Sequence, residues 1–316
     1  MTAPREVPVD SGSPFSLTLA PGPVGQRLDQ ALAAALPQHS RSRIKAWIDE
    51  GLVLVDGETS EPKTKVYGGE EVEITPPPDP TSGAFQPEAI ALEIVHEDAQ
   101  LLVVNKPAGL VVHPGAGNWT GTLLNGLLHH VPKLAAVPRA GIVHRLDKDT
   151  TGLMVVAKTL TAQTELVRQL QARTVKREYL AVTTGKVLSN GVVDAPIGRH
   201  PKDRVRMAVI DEDRGGKPAV THYAVEESFS NATLLRCSLE TGRTHQIRVH
   251  MAHLGHALLG DATYASRAAA ARFNRQALHA ARLALVHPKG KKPVSWEVPL
   301  PADFAALLVQ FRQAAR

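Results

Sequence analysis

A proline-rich stretch at residues 76–88, PPPDPTSGAFQPE, divides this chain into two parts. Proline has no backbone N–H and a fixed φ, so such a stretch interrupts helices and interior strands. It predicts an extended, semi-rigid linker between two domains that can move relative to each other. A chain of 316 residues is long enough for two domains. We place a flexible tail at residues 1–14, a small domain at 15–76, the linker at 77–88 and a large domain at 89–316.

The composition permits an anionic partner and excludes several other classes of protein. A formal net charge of +5 suits nucleic acid without requiring it, while aromatic residues, at 4%, are too few for a long base-stacking platform. Cys237 is the only cysteine, so neither a disulfide framework nor a cysteine zinc site can form, and we expect it inside a buried strand. No stretch is long enough to span a membrane, and the start lacks the apolar segment of a signal peptide. These features predict a cytoplasmic protein with no membrane partner.

The small domain is predicted to contain two helices and a small sheet. The second helix, SRSRIKAWIDEG, should begin at an N-cap formed by Ser40. Two strands, LVLVDGE and EEVEI, should follow it. In the first helix, RLDQALAAAL, one apolar face is formed by Leu28, Ala31, Leu32 and Leu36.

Basic residues cluster at the N-terminal end of the second helix, namely Arg41, Arg43 and Lys45. They add to the positive end of the helix dipole, so phosphate binding is plausible there. On charge alone, a solvated helix face is the simpler interpretation.

The large domain is predicted to be α+β with a mainly antiparallel mixed sheet, because strands outnumber helices and follow no regular βαβ order. The expected strands are LEIVHED, LLVVNKP, GLVVHPG, MVVAKT, REYLAVTTGKV, THYAVEESF and ATLLRCSLE. The expected helices are GTLLNGLLHH, TLTAQTELVRQLQAR, HQIRVHMAHLG and DFAALLVQFRQAAR. In the second of these helices we expect an inward face made of Leu160, Leu166, Val167 and Leu170.

The stretch HRLDKDTTG, residues 144–152, places two carboxylates among cations. DKDTT fits the D-x-D-x-T pattern of phosphatases, in which the first aspartate attacks phosphorus beside Mg²⁺. That chemistry needs a buried apolar strand directly before Asp147 and acidic ligands downstream, where Asp261 is the obvious candidate. A surface turn is the simplest alternative. The apolar runs GIV and LMVVAK flank the motif tightly, however, which is typical of a charged turn that lines a cleft.

A run of histidines, His245, His250, His253 and His256, suggests zinc at first. No carboxylate or cysteine within the run completes a metal triad, so we predict no metal.

Both parts of the chain resemble known families. RLDQAL, SRSRIKAWIDEGLVLVDG and KVYGGEEVEI together resemble the alpha-L RNA-binding module. GIVHRLDKDTTGLMVVAK resembles the signature of the RluA-type pseudouridine synthases, and further family motifs follow in the family's order: NKPAGLVVHPG, REYLAV and LETGRTHQIRVHMAHLGHALLGD. RHP at 199–201 and GKPAVTHY at 216–223 resemble the subgroup that acts on ribosomal RNA. The resemblance covers residues 15–316, with Ala265 and Ser266 standing where the family usually has a glycine.

The resemblance implies the pseudouridine synthase fold with a central catalytic cleft. The substrate would be uridines in a stem-loop of large-subunit (23S) ribosomal RNA, free or within an assembly particle, and the enzyme would act as a monomer without a cofactor. Asp147 corresponds to the catalytic aspartate, Tyr179 to the aromatic residue against the target base, and Arg248 to the arginine that pairs with the aspartate. Arg145 resembles the residue that fills the gap left by the flipped nucleotide. We assign Arg243 to RNA phosphates.

These implied roles are physically consistent with the reaction. Uracil is detached from C1′, turned and rejoined through C5, so no electrons or atoms pass to a cofactor. The nucleotide must first leave its stack at a cost of roughly a few kcal/mol, and an inserted arginine recovers part of that cost by stacking. A guanidinium beside the aspartate favours its charged form. Alternatives stay open: Tyr179 as core, Lys106 as the orienter of a turn, and a non-catalytic RNA-binding protein.

Overall fold

The computed structural model describes residues 14–22, 25–77, 83–115, 117–203 and 205–314. The chain forms two compact units, Met1–Gly83 and Ala84–Arg316. All but one residue of the expected tail, and residues 78–82 of the expected linker, lie outside the described residues.

The first unit packs two helices and small antiparallel sheets around one apolar core. The larger sheet has the order β1-β6-β3-β4, and β2 pairs with β5. The elements are β1 Phe15–Thr18, β2 Gln26–Arg27, α1 Leu28–Ala35, α2 Arg41–Asp49, β3 Val53–Val55, β4 Glu58–Thr59, β5 Lys65–Val66 and β6 Glu71–Ile74. Ser40 caps α2 by accepting a hydrogen bond from Arg43 N at 3.3 Å, as its position predicts. Leu28, Leu32 and Leu36 are fully buried in this core.

The second unit is built on one nine-stranded mixed sheet of order β11-β14-β15-β10-β16-β9-β8-β7, with β17 also paired to β16. Its strands are β7 Glu93–Glu97, β8 Leu101–Lys106, β9 Thr151–Ala157, β10 Lys176–Thr184, β11 Gly191–Asp194, β14 Val220–Ser228, β15 Ala232–Leu239, β16 Leu278–Val286 and β17 Pro293–Glu297. A separate hairpin pairs β12 Ile197–Arg199 with β13 Met207–Val209. The helices are α3 Leu123–His130, α4 Leu160–Gln171, α5 Gln246–His253, α6 Arg267–Ala270 and α7 Ala302–Ala314. Three short 3₁₀ helices cover Pro132–Ala136, Pro138–Gly141 and Glu212–Arg214.

Among the described strands, β9 and β16 form the one parallel pair, and the other pairs are antiparallel. The prediction of an α+β fold with a mainly antiparallel mixed sheet is therefore confirmed. Successive side chains of a strand point to opposite faces, and two apolar layers result. One layer contains Leu102, Val104, Met154 and Val156, and the other contains Leu101, Val103, Leu153 and Val155. Cys237 is buried in β15 as expected.

The central strand β16 joins the two halves of the sheet. Ala280 pairs with Tyr179 of β10 on one side and with Gly152 of β9 on the other. Gly152 has φ +112°, and a Cβ there would lie 2.2 Å from the carbonyl oxygen of Ala280. Only glycine fits this close approach, so the last residue of HRLDKDTTG is fixed by the packing of β9 against β16.

Two expectations were wrong. The segment GLVVHPG is not a strand, because the carbonyls of Val111 and Val112 accept hydrogen bonds from Leu123 N and Leu124 N at the start of α3. In α4, Leu160 and Val167 are exposed, at 59% and 36%. The helix instead buries a stripe of helical spacing, Ala162, Leu166 and Gln169, with Leu170 partly buried against it. No helix in the described part of the chain is long and apolar enough to cross a membrane.

Candidate active site

Asp147 lies in the loop that enters β9. Its carbonyl oxygen accepts a hydrogen bond from Thr150 N at 3.1 Å, which closes a tight turn, and its side chain is 16% exposed. The carboxylate borders a cleft of about 590 Å³. Five residues that the sequence singled out line this cleft together, namely Arg145, Asp147, Tyr179, Arg243 and Arg248.

Arg248 projects from α5 and contacts two carboxylates. Its Nη1 donates to Asp147 Oδ2 at 2.9 Å, while Nε and Nη2 donate to the two oxygens of Asp261 at 2.7 and 2.9 Å. Burial disfavours the guanidinium charge, but Asp261 and Asp147 outweigh burial and raise the pKa of Arg248 above its usual range. The arginine is therefore a permanent cation at the floor of the cleft.

Asp261 is a site residue that the sequence interpretation did not assign. It is fully buried, and it also accepts backbone hydrogen bonds from Thr263 and Tyr264 at 2.9 and 3.2 Å. Both of its oxygens are thus engaged by donors of the protein, beside a guanidinium, which is an unfavourable environment for the Mg²⁺ of the phosphatase alternative. The segment before Asp147 is also not a strand. The signal for Asp261 was available, since it ends the LETGRTHQIRVHMAHLGHALLGD motif.

Tyr179 forms a wall of the cleft. It lies on β10 between Cys237 and Ala280 of the neighbouring strands, is 5% exposed and belongs to the main apolar core. Burial raises its pKa, so the hydroxyl stays neutral at physiological pH. The ring is both core and cleft surface, which combines the two roles that its sequence position suggested.

Two arginines lie at the exposed rim of the cleft. Arg145 is exposed two residues before Asp147. Arg243 is also exposed, and its Nε donates to the Pro218 carbonyl at 3.0 Å. Both guanidinium groups are therefore close to solvent, where an RNA strand can reach them.

The backbone of the Asp147 loop is held by two buried basic side chains, Lys106, which the sequence left as the orienter of a turn, and Arg275, which the sequence analysis did not single out. Lys106 Nζ, fully buried, donates to the carbonyl oxygens of Pro107, Leu110 and Lys148 at 2.7, 3.0 and 2.8 Å. Arg275 Nη1 donates to the carbonyl of Asp149 at 3.2 Å. Burial lowers the pKa of Lys106 to about 7, while the carboxylates of Asp149 and Asp147 oppose that shift. The Lys-Pro dipeptide thus orients its own turn and also fixes the Asp147 loop.

The histidines near the site have structural contacts. His144 Nε2 accepts a hydrogen bond from Val155 N at 3.1 Å, and burial lowers its pKa to about 3, so it stays neutral. His250 contacts Thr221 Oγ1 and the Ala195 carbonyl, both at 2.9 Å. Within the residues that the structure describes, no three His, Cys, Asp or Glu side chains are arranged to hold a metal ion.

Two residues of the basic cluster, Arg41 and Lys45, border a separate cavity of about 710 Å³ in the first unit. Arg41 Nη2 donates to Asp29 at 2.8 Å, and Arg27 contacts the same carboxylate at 3.0 Å. Arg43 lies over the Trp47 ring at 5.4 Å. Lys45 is exposed, 3.9 Å from Asp49. Part of the positive charge predicted for phosphate is therefore already paired within the unit.

Comparison with known proteins identifies the class. A family model described as RNA pseudouridylate synthase matches residues 100–253, and one described as S4 domain matches residues 26–72. With the sheet and its cleft, these matches define an RNA-modifying isomerase: the chain belongs to the RluA-type family of pseudouridine synthases. The predicted enzyme class is confirmed, and the alpha-L module is the S4 domain. Neither the phosphatase nor the non-catalytic alternative agrees with this family.

Comparison with individual relatives gives the extent of this similarity. The chain is 56% identical over 305 residues to ribosomal large subunit pseudouridine synthase D of Nitrosomonas europaea, covering 94% of this chain and 88% of that protein. The protein of the same name from Escherichia coli K12 is 52% identical over 311 residues, 94% of both chains. Human RNA pseudouridylate synthase domain containing 1 aligns with a TM-score of 0.57 and 28% identity over 72% of this chain and 96% of that one. The likeness that the motifs predicted, to the pseudouridine synthases of ribosomal RNA, is confirmed.

Proposed function

We propose that this enzyme converts specific uridines to pseudouridine in a stem-loop of large-subunit (23S) ribosomal RNA, with Asp147 as the catalytic carboxylate. The names of its relatives, which are more than half identical to it over the aligned residues, support this substrate. The contact of 2.9 Å between Arg248 Nη1 and Asp147 Oδ2 at the floor of the cleft supports the assignment of Asp147.

The geometry supports a different role for each of the side chains that line the cleft. A volume of about 590 Å³ lies in the range of small-ligand sites, so one extruded nucleoside fits. Arg248 binds Oδ2 of Asp147, which leaves Oδ1 for the substrate. Tyr179 offers a flat wall against which the detached uracil turns. Arg145, at the exposed rim, replaces the base in the stack that it has left.

The chemistry is redox-neutral and needs no added group. The C1′–N1 bond breaks and the C1′–C5 bond forms, while C5 loses one proton and N1 gains one. Asp147 acts as an anion in this sequence, and Arg248 keeps that anion stable when RNA excludes water from the cleft.

Affinity for the RNA backbone comes from cations outside the reaction centre. We assign Arg41, Arg43 and Lys45 of the S4 domain, together with Arg243 at the rim of the cleft, to phosphate contacts. Lys45 and Arg243 are exposed, which suits such contacts.

Release of tritium from a 23S transcript labelled at uridine C5 tests the catalytic assignment. Asp147→Asn should abolish release while RNA affinity, measured by filter binding, is retained. Asp213→Asn, the same change at an exposed position, should behave as wild type. Equal release by wild type and Asp147→Asn would overturn the assignment of Asp147.

The substrate and the state of the enzyme are tested separately. Pseudouridine should be mapped in naked 23S RNA and in large-subunit particles incubated with the enzyme, because modification confined to one of them identifies the substrate form. The prediction of a cytoplasmic monomer is part of this proposal. Light scattering should give a mass of 33.9 kDa, and a doubled mass would contradict the monomer.

A further inference from the structure

His245 stands out in the cleft because its backbone is left-handed. It has φ 57° and ψ 21° immediately before α5, in a region that non-glycine residues seldom occupy. Such conformations persist where surrounding contacts hold them, often at functional sites. The contacts of the imidazole ring are therefore informative.

The ring of His245 is fixed on one side and open to the cleft on the other. Its Nδ1 lies 2.8 Å from the hydroxyl oxygen of Tyr264, and the two rings meet edge to face at 5.7 Å. Its Nε2 lies 3.9 Å from Asp147 Oδ1, the oxygen that Arg248 does not bind. The side chain is 19% exposed and lines the cleft beside Asp147.

Tyr264 selects which nitrogen of His245 carries the proton. Met207 N donates to the Tyr264 hydroxyl oxygen at 2.9 Å. An arrangement in which that oxygen accepts from Met207 N while its own proton goes to Nδ1 of His245 gives both polar hydrogens a partner, and it is the arrangement on which we build. Nδ1 is then an acceptor, and the proton of the neutral ring lies on Nε2. The result is an N–H group directed into the cleft beside Asp147.

The ring is neutral at physiological pH. Burial lowers the pKa of His245, as do Arg248 and Arg145, while the facing carboxylates of Asp147 and Asp261 act in the opposite direction. A neutral donor leaves the negative charge of Asp147 intact, whereas an imidazolium would form a second ion pair with it. His245 is thus suited to donating a hydrogen bond rather than a proton.

We propose that His245 is a further catalytic residue, whose Nε2–H donates a hydrogen bond to a carbonyl oxygen of the target uracil. This role rests on the proposed function. When the C1′–N1 bond breaks, its electron pair stays with uracil, and the negative charge spreads onto the carbonyl oxygens. A fixed donor binds that charge more strongly than the neutral ground state, so it accelerates the reaction more than it tightens binding.

The principal variant is His245→Asn, because asparagine tolerates a left-handed backbone but its amide is too short to replace Nε2. Single-turnover rates should fall about 100-fold, as for loss of one donor to a developing anion. RNA affinity and the thermal midpoint should stay near wild type. His245→Gln, whose longer amide carries an N–H, should recover part of the rate. A variant with unchanged rate would overturn the role.

Sulfur substitution of the substrate identifies the contact. A stem-loop with 2-thiouridine or 4-thiouridine at the target presents a weak acceptor at one carbonyl position. When sulfur replaces the oxygen that His245 binds, the reaction rate of the wild type should fall. The rate of His245→Asn should be the same with the thio substrate as with the unmodified one. Additive losses at both positions would overturn the proposal, as would coupling to the 2′-hydroxyl alone, tested with a 2′-deoxy target.

The two proposals fail in distinguishable ways. Suppose that Asp147→Asn is inactive, while the rate loss from His245→Asn and the rate loss from each thio substitution are additive. Only the role of His245 is then overturned. If Asp147→Asn is active, the catalytic assignment is overturned, and the coupling between His245 and uracil is still measured with the same substrates. If wild type forms no pseudouridine in ribosomal RNA, both proposals are overturned.

Discussion

Asp261 accepts two hydrogen bonds from Arg248, at 2.7 Å from Nε and 2.9 Å from Nη2. This bidentate pair fixes the plane of the guanidinium group, so the remaining nitrogen, Nη1, is aimed at Asp147. The buried carboxylate of Asp261 thus orients the cation that contacts Asp147, the carboxylate proposed to be catalytic. The position of the Asp147 carboxylate therefore depends on the buried ion pair between Arg248 and Asp261.

Replacing Arg248 by lysine should expose this dependence. An ammonium group keeps the charge but cannot bind Asp261 through two nitrogens and still reach Asp147. We expect kcat to fall by about 10²- to 10³-fold, with a smaller change in KM. Steady-state tritium release measures both constants, and Arg214→Lys, at an exposed position, is the matched control. A kcat equal to that of wild type would contradict the orienting role.

Two substitutions of Tyr179 separate the contribution of the aromatic surface to kcat from the contribution of the hydroxyl group. Tyr179→Phe keeps the flat wall and should retain kcat within about tenfold, whereas Tyr179→Leu removes the stacking surface, which is worth roughly 1–3 kcal/mol per base. Tyr179→Phe keeps the buried ring and should change the thermal midpoint little, whereas Tyr179→Leu leaves a cavity in the core and should lower the midpoint, so kcat is compared at a temperature where both variants are folded. Should the phenylalanine variant be as inactive as the leucine variant, the hydroxyl rather than the ring would be the important group.

The lowered pKa of Lys106 predicts that the free energy of unfolding depends on pH. Its pKa is about 7 in the folded protein against 10.5 for the free side chain, so between these values the unfolded chain holds a proton that the folded protein has released. The contribution of Lys106 to the free energy of unfolding should therefore rise with pH across that window and be flat outside it. Urea unfolding below pH 7 and near pH 10 measures this rise, which Lys106→Met should lack. Parallel curves for the two proteins would contradict the shift.

Lys45 of the S4 domain should affect RNA affinity without affecting chemistry. Lys45→Ala should raise Kd in parallel for all RNA sequences and reduce the slope of log Kd against log salt concentration by about one contact. Single-turnover rates at saturating RNA should be unchanged. Lys289→Ala, exposed in the other unit, serves as the charge-matched comparison. An equal salt slope for both variants would exclude a specific phosphate contact at Lys45.

The parts of the fold and of the candidate site that were predicted from the sequence are those in which local residue patterns and long motifs agree. An excess of strands without a regular βαβ order indicated the mainly antiparallel sheet, and the HRLD, REYLAV and GRTHQIRVH motifs identified residues that line one cleft. The strand expected at GLVVHPG was wrong because the carbonyls of Val111 and Val112 pair with the start of α3, a partner that periodicity does not reveal.

The supporting residues of the site were missed for a similar reason. Lys106 binds the carbonyl of Lys148, and Arg275 binds that of Asp149. Contacts from a side chain to a distant carbonyl leave no residue-type signature at the accepting position. His245, Tyr264 and Met207 are linked by contacts of 2.8 and 2.9 Å, and only three-dimensional proximity shows such a chain of contacts.

The position of β16 also sets an order of events during synthesis. This strand comes from residues 278–286, near the end of the chain, yet it lies between the half of the sheet that leads to Asp147 and the half that bears Tyr179. Neither half can contact the other through backbone pairing until β16 is inserted between them. A nascent chain that still lacks β16 therefore cannot hold Tyr179 and the Asp147 loop together through this sheet, even after the S4 domain has been synthesised.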